Sequence, residues 1–505
     1  MIDVRRLMTN AMSSIVQTAV SGVIMFALYR YLIIHLGTEQ LGLWSVVLAS
    51  TSVARLGDLG MTGSVVKFVA RYRAHQDEVQ AAAVVKTAAI SSAIILGVLL
   101  IALYPLASFL LELSIPKALI PQAMSILPWA VLSLWLGSTG GTFQAGLDGY
   151  QLIATRNILL VGGNLVLLVL AVWFVPDFGL NGLAICQVVQ SLLMMLAAWF
   201  LLSRKLPAMR SSQALWTSHL FREMFGYAAN FQFNTLAMLL FDPVTKLFIT
   251  HFGGLSITAL YEVASQLVIK IRAVATSAMQ TLVPTVAALQ EVSRDELRVL
   301  YLNSYSVLFF TTIPLFAAIV IVLPVFSKLL LGWNNPVFIL FGTLLALGWG
   351  INTLGSLAYF FNLGTGDIKR NSYGQGVIAI VNVVLGSLLG SLFGAIGVVV
   401  GSMVALAVGS MTTTVMLYRS IKIPFKTLVT QENYVLLGVM IFSVIVSSFW
   451  TPIFDGGNKF WLDEMIKITS FICLAVFFMW VHPCTKLILK HYFQVEVPNV
   501  KNASV

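Results

Sequence analysis

The feature that most constrains this chain is a series of long apolar segments that recurs along almost its whole length. The hydrocarbon core of a bilayer is about 30 Å thick, and an α-helix needs roughly 20 apolar residues to cross it. Only 10% of the 505 residues are charged, against about 25% in soluble domains. The sequence therefore predicts an all-α polytopic membrane protein with about 14 transmembrane helices. The candidate spans lie at about 11–34, 41–66, 82–111, 121–146, 151–175, 180–202, 222–250, 257–289, 298–325, 336–362, 371–391, 395–418, 432–451 and 461–482.

Basic residues are concentrated in alternate connections between these spans, and this asymmetry predicts orientation because cytoplasmic loops carry an excess of Lys and Arg. We expect both termini on the cytoplasmic side. The net charge of +10 then reflects topology rather than a site for a polyanion. The connections predicted to be cytoplasmic carry Arg5, Arg6, Arg71, Arg73, Arg204, Lys205, Arg210, Arg294, Arg298, Lys369, Arg370, Arg419 and Lys422, whereas the opposite loops carry little beyond Lys117, Lys328 and Lys459.

Several functional classes lack their sequence signatures. The three cysteines, Cys186, Cys473 and Cys484, are isolated and form no metal-ligand or disulfide pattern. There is no GxxxxGK[ST] phosphate loop, and the first apolar segment is too long for a signal-peptide core. We therefore expect no metal, no cofactor and no extramembrane catalytic domain, and a protein that is not an enzyme.

The chain contains an internal repeat. The segment "RYLIIHLGTEQLGLWSV" at 30–46 resembles "KLFITHFGGLSITALYEV" at 246–263, and later pairs of segments keep an offset of about 214 to 219 residues. The predicted pairs are Arg30 with Lys246, His35 with His251, Gly37 with Gly253, Trp44 with Tyr261 and Arg55 with Arg272. Six spans separate equivalent positions, so the two halves are parallel repeats related by an axis along the membrane normal.

This repeat predicts the domain organisation. Residues 1–210 form an N-terminal lobe of six helices, and residues 211–427 form the second lobe of six. Residues 428–491 add helices 13 and 14, and 492–505 are a short cytoplasmic tail. A substrate site is expected between the lobes.

Charged and polar residues lie inside the predicted spans, where an ion costs at least about 2.5 kcal/mol. In helix 2, Arg55 and Asp58 belong to one narrow stripe, and Arg272 belongs to a looser stripe in helix 8. Such stripes face protein or a water-filled cavity. Polar residues of helices 1 and 7 join them as candidate substrate-binding residues, namely Gln17, Asn230 and Asn234.

Counting embedded groups gives a surplus of about two positive charges. Surplus cations away from water attract an anion, which predicts a cationic cavity. The cations are Arg30, Arg55, Lys246, Lys270 and Arg272, and the acids, which are also candidates for ion coupling, are Asp58, Asp242 and Glu262. Other interpretations stay open: Arg55 can pair with Asp58 and Lys246 with Asp242, Arg30 and Lys246 can snorkel, and Lys270 points about 200° from Arg272 on the helix.

The segments "HLGTEQLGLWSVV", "LGDLGMTGSVVKFVARYRA", "GLDGYQLIATRN" and "LGTGDIKRNS" carry a family resemblance. The chain resembles the bacterial oligosaccharide flippases that move O-antigen or other polysaccharide repeat units, within the multidrug/oligosaccharidyl-lipid/polysaccharide exporter superfamily. The resemblance implies alternating-access transport of a polyprenyl-pyrophosphate-linked glycan from the inner to the outer leaflet of the cytoplasmic (inner) membrane. It also implies contact of pyrophosphate or acidic sugars with Arg55 and Arg272, with Arg30 and Lys246 secondary. The glycan polymerase and glycosyltransferases of the pathway are implied partners.

Alternative hypotheses remain. A lipid II flippase has a similarly basic cavity, and a cation or drug antiporter shares the fold but favours an acidic one. A polytopic glycosyltransferase or polymerase needs catalytic residues on sizeable outer loops, which are almost lacking here, and a non-catalytic scaffold leaves the repeated cations unexplained. Without an ATP site, energy must come from a gradient. An inside-negative potential favours outward movement of an anion by about 2.3 kcal/mol per charge per 100 mV.

Overall fold

The computed structural model describes residues 4–52, 60–211, 215–423, 429–448 and 459–485. Within these ranges, the description leaves out the side chains of 4–11, 227–239, 278, 284, 291–292 and 459. Every long regular element in the described ranges is an α-helix. The helices are α1 (Val4–Ser52), α2 (Met61–Ala74), α3 (Glu78–Ser114), α4 (Ile120–Gly149), α5 (Ile153–Lys205), α6 (Ser218–Gly253), α7 (Leu255–Gln280), α8 (Val283–Val292), α9 (Arg294–Leu331), α10 (Pro336–Gly364), α11 (Ile368–Ile421), α12 (Gln431–Ser448) and α13 (Lys459–Val481).

Three of these helices are too long for a single span. The 53 residues of α5 would extend about 80 Å if straight, more than twice the thickness of a bilayer core. Each long helix is broken by one glycine with a positive φ, where a side chain would be strained: Gly37 in α1, Gly179 in α5 and Gly394 in α11. Each therefore contains two spans.

Among the described helices, α1, α5 and α11 count as two spans each, and α2 and α8 are not counted because they are short helices that follow α1 and α7, which gives fourteen spans. This confirms the predicted all-α fold with about 14 helices. Nine of the described helices are long and apolar enough to cross a membrane. The helices α6 and α7, which carry Asp242, Lys246, Glu262, Lys270 and Arg272, are not among those nine.

The internal repeat is visible in the backbone. Positive φ values recur at Gly37 and Gly254, and again at Gly179 and Gly394. The first interval is 217 residues, which places Lys246 opposite Tyr29 rather than opposite Arg30. The predicted pairings of Arg30 with Lys246, of His35 with His251 and of Gly37 with Gly253 are therefore displaced by one residue. The pairing of Trp44 with Tyr261 keeps the 217-residue interval.

The bundle has two distinct ends. We call the end with Gly37, Gly179, Gly254 and Gly394 the glycine end, and the end where α2 and α5 finish and α9 and α11 begin the basic end. One hydrophobic cluster spans both halves toward the glycine end, as shown by Leu41 and Leu255 within it. Toward the basic end the halves have separate clusters, one around Phe68 and another around Tyr301. The two halves thus share one core at one end and have separate cores at the other.

Helix α6 passes from one half to the other. Near its start, Met224 belongs to the core of the first half, and its carbonyl accepts a hydrogen bond from Ser64 at 3.1 Å. Glu223 forms an ion pair with Arg71 at 3.1 Å. Farther along, Thr245 accepts a hydrogen bond from Asn382 of α11 at 3.0 Å. The first turns of α6 therefore pack against the first half and its later turns against the second.

Helices α12 and α13 pack on α9 through a separate apolar cluster that includes Phe310, Leu436 and Phe471. Helix α13 also carries an embedded ion pair, in which Lys467 lies 2.7 Å from Glu464 and both side chains are almost fully buried. This ion pair is not among the embedded charges predicted from the sequence. Its i,i+3 spacing within an apolar helix is the signal that indicates it.

Candidate functional site

The backbones of the two halves lie in close contact where α1 crosses the start of α7. A side chain at Gly42 would place its Cβ 1.9 Å from the carbonyl oxygen of Leu255. That separation is far below van der Waals contact, so only glycine fits at this crossing. Because 42 and 255 lie in different halves, this contact holds the halves together near the glycine end.

Beside this crossing lies a buried cluster of charges. The ammonium of Lys246 on α6 lies 2.6 Å from Asp242 Oδ2 and 2.6 Å from Glu262 Oε2. The side chains of Lys246 and Glu262 are only 9% exposed. A buried ammonium of this kind is stable only when it is paired and hydrogen-bonded. Lys246 is therefore neutralised by two carboxylates, and the three charges sum to −1.

Glu262 also receives hydrogen bonds from both halves. Tyr29 donates to its Oε1 at 3.0 Å, and Ser45 donates to its Oε2 at 3.0 Å. Gln266, one turn along α7, donates to Oε1 at 3.0 Å. The interval between Ser45 and Glu262 is 217 residues, the same as the interval between the glycine turns. These are equivalent positions that touch each other, so the axis relating the halves passes through this cluster.

A cavity of about 290 Å³ lies within the second half, between α7, α10 and α11. Arg272 is the charged residue among the described residues that line it. The guanidinium lies 4.6 Å from the ring of Trp349, a cation–π contact. The other polar lining residues are Thr276, Gln280, Asn352, Ser356, Tyr359, Gln375, Ser410 and Thr413.

A chain of hydrogen bonds fixes the position of Arg272. Its Nη2 donates to Asn352 Oδ1 at 2.9 Å, and Asn352 Nδ2 donates to Ser410 Oγ at 2.7 Å. Ser410 in turn donates to the carbonyl of Leu406. Within the described part of the chain, Arg272 has no carboxylate within ion-pair distance, and its buried Nε has no hydrogen-bond partner. Arg272 is thus a preorganised cation that lacks a counter-ion among these residues.

A second space, a groove of about 450 Å³, lies between the halves and is lined by α1, α7 and α9. Its walls are almost entirely apolar, with Phe26, Leu267 and Phe326 among them. Lys270 lines it, and so do Tyr29 and Gln266, the two residues that also bond Glu262. Lys270 and Arg272 therefore face different spaces.

The remaining predicted site residues have varied positions. Arg55 and Asp58 lie outside the described residues. Asn230 and Asn234 lie on α6, in the stretch whose side chains are not described. Arg30 is exposed on the outside of α1.

Gln17 takes part in helix contacts rather than lining either space. It donates to Ser21 at 3.0 Å, and Ser21 also accepts a hydrogen bond from Asn164 of α5 at 3.0 Å. Two turns earlier on both helices, Asn157 donates to Ser13 and Ser14. These bonds join α1 to α5.

The residues that bind Glu262 and Arg272 are not predicted by the sequence patterns. Tyr29 and Ser45 bond Glu262, and Asn352 and Trp349 hold Arg272. The available signal for Asn352 was an amide in the middle of the most apolar described helix, where a polar group must find a partner. Its partner lies 80 residues away, which helix periodicity does not reveal.

Comparison with protein families places these features in context. The family described as polysaccharide biosynthesis protein matches residues 7–290, which is more than half of the chain. The chain belongs to this family. The resemblance predicted from the sequence motifs is thereby confirmed. A search of curated proteins found no match.

Several solved structures have the same fold as this chain. The lipid II flippase MurJ in an inward closed conformation is 12% identical, with a TM-score of 0.71 over 96% of this chain and 99% of that one. An inward-facing multidrug resistance MATE family transporter of the MOP superfamily is 16% identical, with a TM-score of 0.69 over 80% and 94%. A MOP superfamily transporter from Pyrococcus furiosus is 14% identical, with a TM-score of 0.58 over 83% and 95%.

These likenesses establish the fold. The polysaccharide biosynthesis protein has the architecture of MOP-superfamily transporters and flippases and is a multi-pass membrane protein. Identities of 12% to 16% carry no information on its substrate.

Proposed function

We propose that this protein flips a polyprenyl-pyrophosphate-linked oligosaccharide from the inner to the outer leaflet of the bacterial inner membrane by alternating access. The basic end with both termini faces the cytoplasm in this proposal, as the distribution of Lys and Arg favours. The glycosyltransferases and the glycan polymerase of the same pathway are its proposed partners. Arg272 and its repeat partner Arg55 contact the anionic part of the substrate.

The observation that carries the proposal is Arg272 in its polar cavity. A guanidinium removed from water stays charged, and it gains most when it pairs with an oxyanion. Asn352 and Trp349 hold the group in place without neutralising it. A drug or cation antiporter would gain nothing from a fixed cation that lacks a carboxylate partner among the described residues, whereas a pyrophosphate-linked or acidic glycan supplies a negative charge.

The groove between the halves supports the lipid part of the proposal. A sugar hydroxyl in hydrocarbon without a partner costs several kcal/mol, so the glycan needs a polar path. The polyprenyl tail has the opposite requirement. The groove lined by Phe26, Leu267 and Phe326 offers apolar walls beside the polar cluster, with Lys270 along one side.

The arrangement of the cores supports alternating access. The halves share a core and the Lys246–Glu262 cluster toward the glycine end, and they have separate cores toward the basic end. In our proposal, opening toward the outside breaks the Gly42–Leu255 crossing and the contacts of Glu262 with Tyr29 and Ser45. Lys246 then acts in closing this end rather than as a secondary substrate contact. Membrane potential is the proposed energy source for moving the anion outward.

The proposal is tested with purified protein in liposomes that contain a fluorescent lipid-linked oligosaccharide. The rate at which the label becomes accessible outside measures flipping. Arg272→Ala and Arg55→Ala should reduce this rate to the protein-free background, and Lys270→Ala should reduce it less. Lys117→Ala, a loss of positive charge in a loop at the glycine end, should leave it unchanged. Equal small effects of the three embedded substitutions would contradict the proposal.

The same preparation distinguishes the alternatives. Faster flipping of lipid II than of every lipid-linked oligosaccharide would identify a lipid II flippase. Export of a cationic dye that persists in the Arg55→Ala and Arg272→Ala variants would identify an antiporter. Elongation of lipid-linked glycan by the protein in detergent would identify an enzyme.

A further inference from the structure

We propose that the cavity of the second half is a subsite for one sugar residue, and that this half alone reads the sugar adjoining the oxyanion at Arg272. The residues assigned to this specificity are Gln375, Ser410 and Thr413 of α11, together with Asn352 of α10. The proposal rests on the proposed function, which supplies the glycan. Beyond that function, the proposal assigns the residues that contact the sugar and the half of the protein that selects it.

The chemistry of the lining is that of a sugar site. Around the single guanidinium stand neutral amides and hydroxyls, with the aromatic rings of Tyr359 and Phe360 beside them. A volume of about 290 Å³ is close to the lower limit of roughly 300 Å³ for small-molecule sites. That space exceeds what a bare anion requires, and the neutral donors and acceptors match adjoining hydroxyl groups.

Polar atoms at this place are incompletely satisfied. Among the described residues that line the cavity, the buried atoms Arg272 Nε and Gln375 Oε1 have no hydrogen-bond partner. Such buried unpaired groups are rare in folded proteins because each is costly to leave unpaired. One is a donor and the other an acceptor, and a ligand that carries both hydroxyls and an oxyanion offers partners of both kinds.

The internal repeat supplies a control within the molecule. In this region the two halves are related by 215 residues, as shown by Gly140 packing on Met195 and Gly355 packing on Ser410. At that interval, the position of Gln375 is occupied by Leu160 in the first half. The other replacements in the first half are Gly137 for Asn352, Met195 for Ser410 and Ala198 for Thr413.

The contrast shows that the fold does not require polar residues here. At these four positions the first half packs the equivalent helices with glycine and apolar side chains, and Gly163 packs closely on Met194 where Ile378 packs on Gly409 in the second half. Polar side chains buried at the equivalent positions of the second half therefore serve a ligand rather than the architecture. A recognition site on one side suits a substrate that lacks two-fold symmetry.

The oxyanion at Arg272 has two chemical sources in such a substrate, a sugar carboxylate or a phosphate linked to the sugar. Binding of soluble probes to the purified full-length protein in detergent separates them. The probes are glucuronic acid and glucose 1-phosphate. The controls are acetate and inorganic phosphate, which are the bare anions, and glucose, which is the uncharged sugar. Isothermal titration gives the affinity of each.

We expect at least one of the two sugar anions to bind tenfold or more tightly than its bare anion and than glucose. Gln375→Leu and Thr413→Ala, which introduce the residues of the first half, should each reduce this preference to threefold or less. Affinity for the bare anion should stay within twofold, because Arg272 is retained. Thr412→Ala, at the neighbouring half-buried position of α11 that does not line the cavity, is the matched control and should leave the preference unchanged.

The outcomes are distinct. A preference confined to glucuronic acid identifies a carboxylate, and one confined to glucose 1-phosphate identifies a phosphate. Equal binding of sugar anions and bare anions by the wild-type protein overturns the subsite, as does an unchanged preference in the Gln375→Leu variant. If the binding test gives either of these results but the wild-type protein still flips the lipid-linked glycan in liposomes, the proposed function stands without the subsite. If the wild-type protein flips no glycan, the proposed function itself fails.

Discussion

Ser45 donates a hydrogen bond of 3.0 Å to Glu262, and the two residues occupy equivalent positions 217 residues apart in the two halves. A contact between equivalent positions lies on the axis that relates the halves. The chemistry there is asymmetric, because Glu262 binds Lys246 whereas its counterpart is an uncharged serine. The halves are therefore joined at this axis by buried charges that come from the second half.

The first prediction concerns this charge. Glu262→Gln removes one of the two carboxylates that pair with Lys246 and leaves the ammonium paired with Asp242, so we expect a loss of about 2 kcal/mol in stability, typical of a hydrogen bond to a charged group. Ser45→Ala removes a single hydrogen bond and should cost about 1 kcal/mol. Thermal unfolding of each variant in detergent measures the difference. Combining Glu262→Gln with Lys246→Met should cost less than the sum of the two single changes, and strict additivity would contradict the pairing.

The second prediction concerns the crossing of α1 and α7. Gly42→Ala forces a methyl group against the carbonyl oxygen of Leu255, at 1.9 Å without movement. The helices must separate, so we expect lower thermal stability and faster modification, by a water-soluble thiol reagent, of a cysteine placed at Ser45. Gly162→Ala is the control, since nothing lies within 4 Å of its added methyl group. Stability equal to that of the control would show that the crossing is not tight.

The third prediction concerns the charge of the second-half cavity. Asn352→Asp keeps the shape of the side chain that binds Arg272 but adds a carboxylate, which neutralises the guanidinium. Because the pair is satisfied internally, the protein should fold normally while glycan flipping in liposomes falls at least tenfold. Asn181→Asp, at an exposed position near the glycine end, controls for the added negative charge. Unchanged flipping in the Asn352→Asp variant would remove Arg272 from the substrate path.

The fourth prediction concerns His482, which lies just beyond α13. Its ring packs 4.9 Å from that of Phe310, and it is only 6% exposed. Burial lowers the pKa of His482 below its usual value, with the Glu432 carboxylate opposing this. The unfolded chain takes up a proton on this ring below about pH 6.5, and the folded protein takes it up only at a lower pH.

Stability from His482 should therefore be present above about pH 6.5 and decline as the pH falls through that value. The unfolding temperature in detergent at pH 7.5 and pH 5.5 tests this expectation. His482→Gln cannot be protonated, so its unfolding temperature should change less between the two pH values than that of the wild-type protein. An identical pH dependence in both proteins would contradict the assignment.

The sequence determined the architecture because the features that define it depend on residues that are close together in the chain. The length of each apolar segment predicts a span, and fourteen spans are present when α1, α5 and α11 are divided at their glycines. The repeat was detectable because both copies keep a basic residue, a histidine and a glycine at the same spacing near the first turn. These features depend on neighbouring residues and on the chain's own periodicity.

The pairing of the embedded charges was decided by tertiary structure. Counting charges along the chain treated Lys246 and Arg272 alike, yet Lys246 lies between two carboxylates and Arg272 faces an uncharged amide. The one-residue shift in register between the first helices of the halves separates buried Lys246 from exposed Arg30. Helix periodicity indicates the face on which a side chain lies, whereas the partner from a packed helix is 16 residues away for Lys246 and Glu262 and 80 residues away for Arg272 and Asn352.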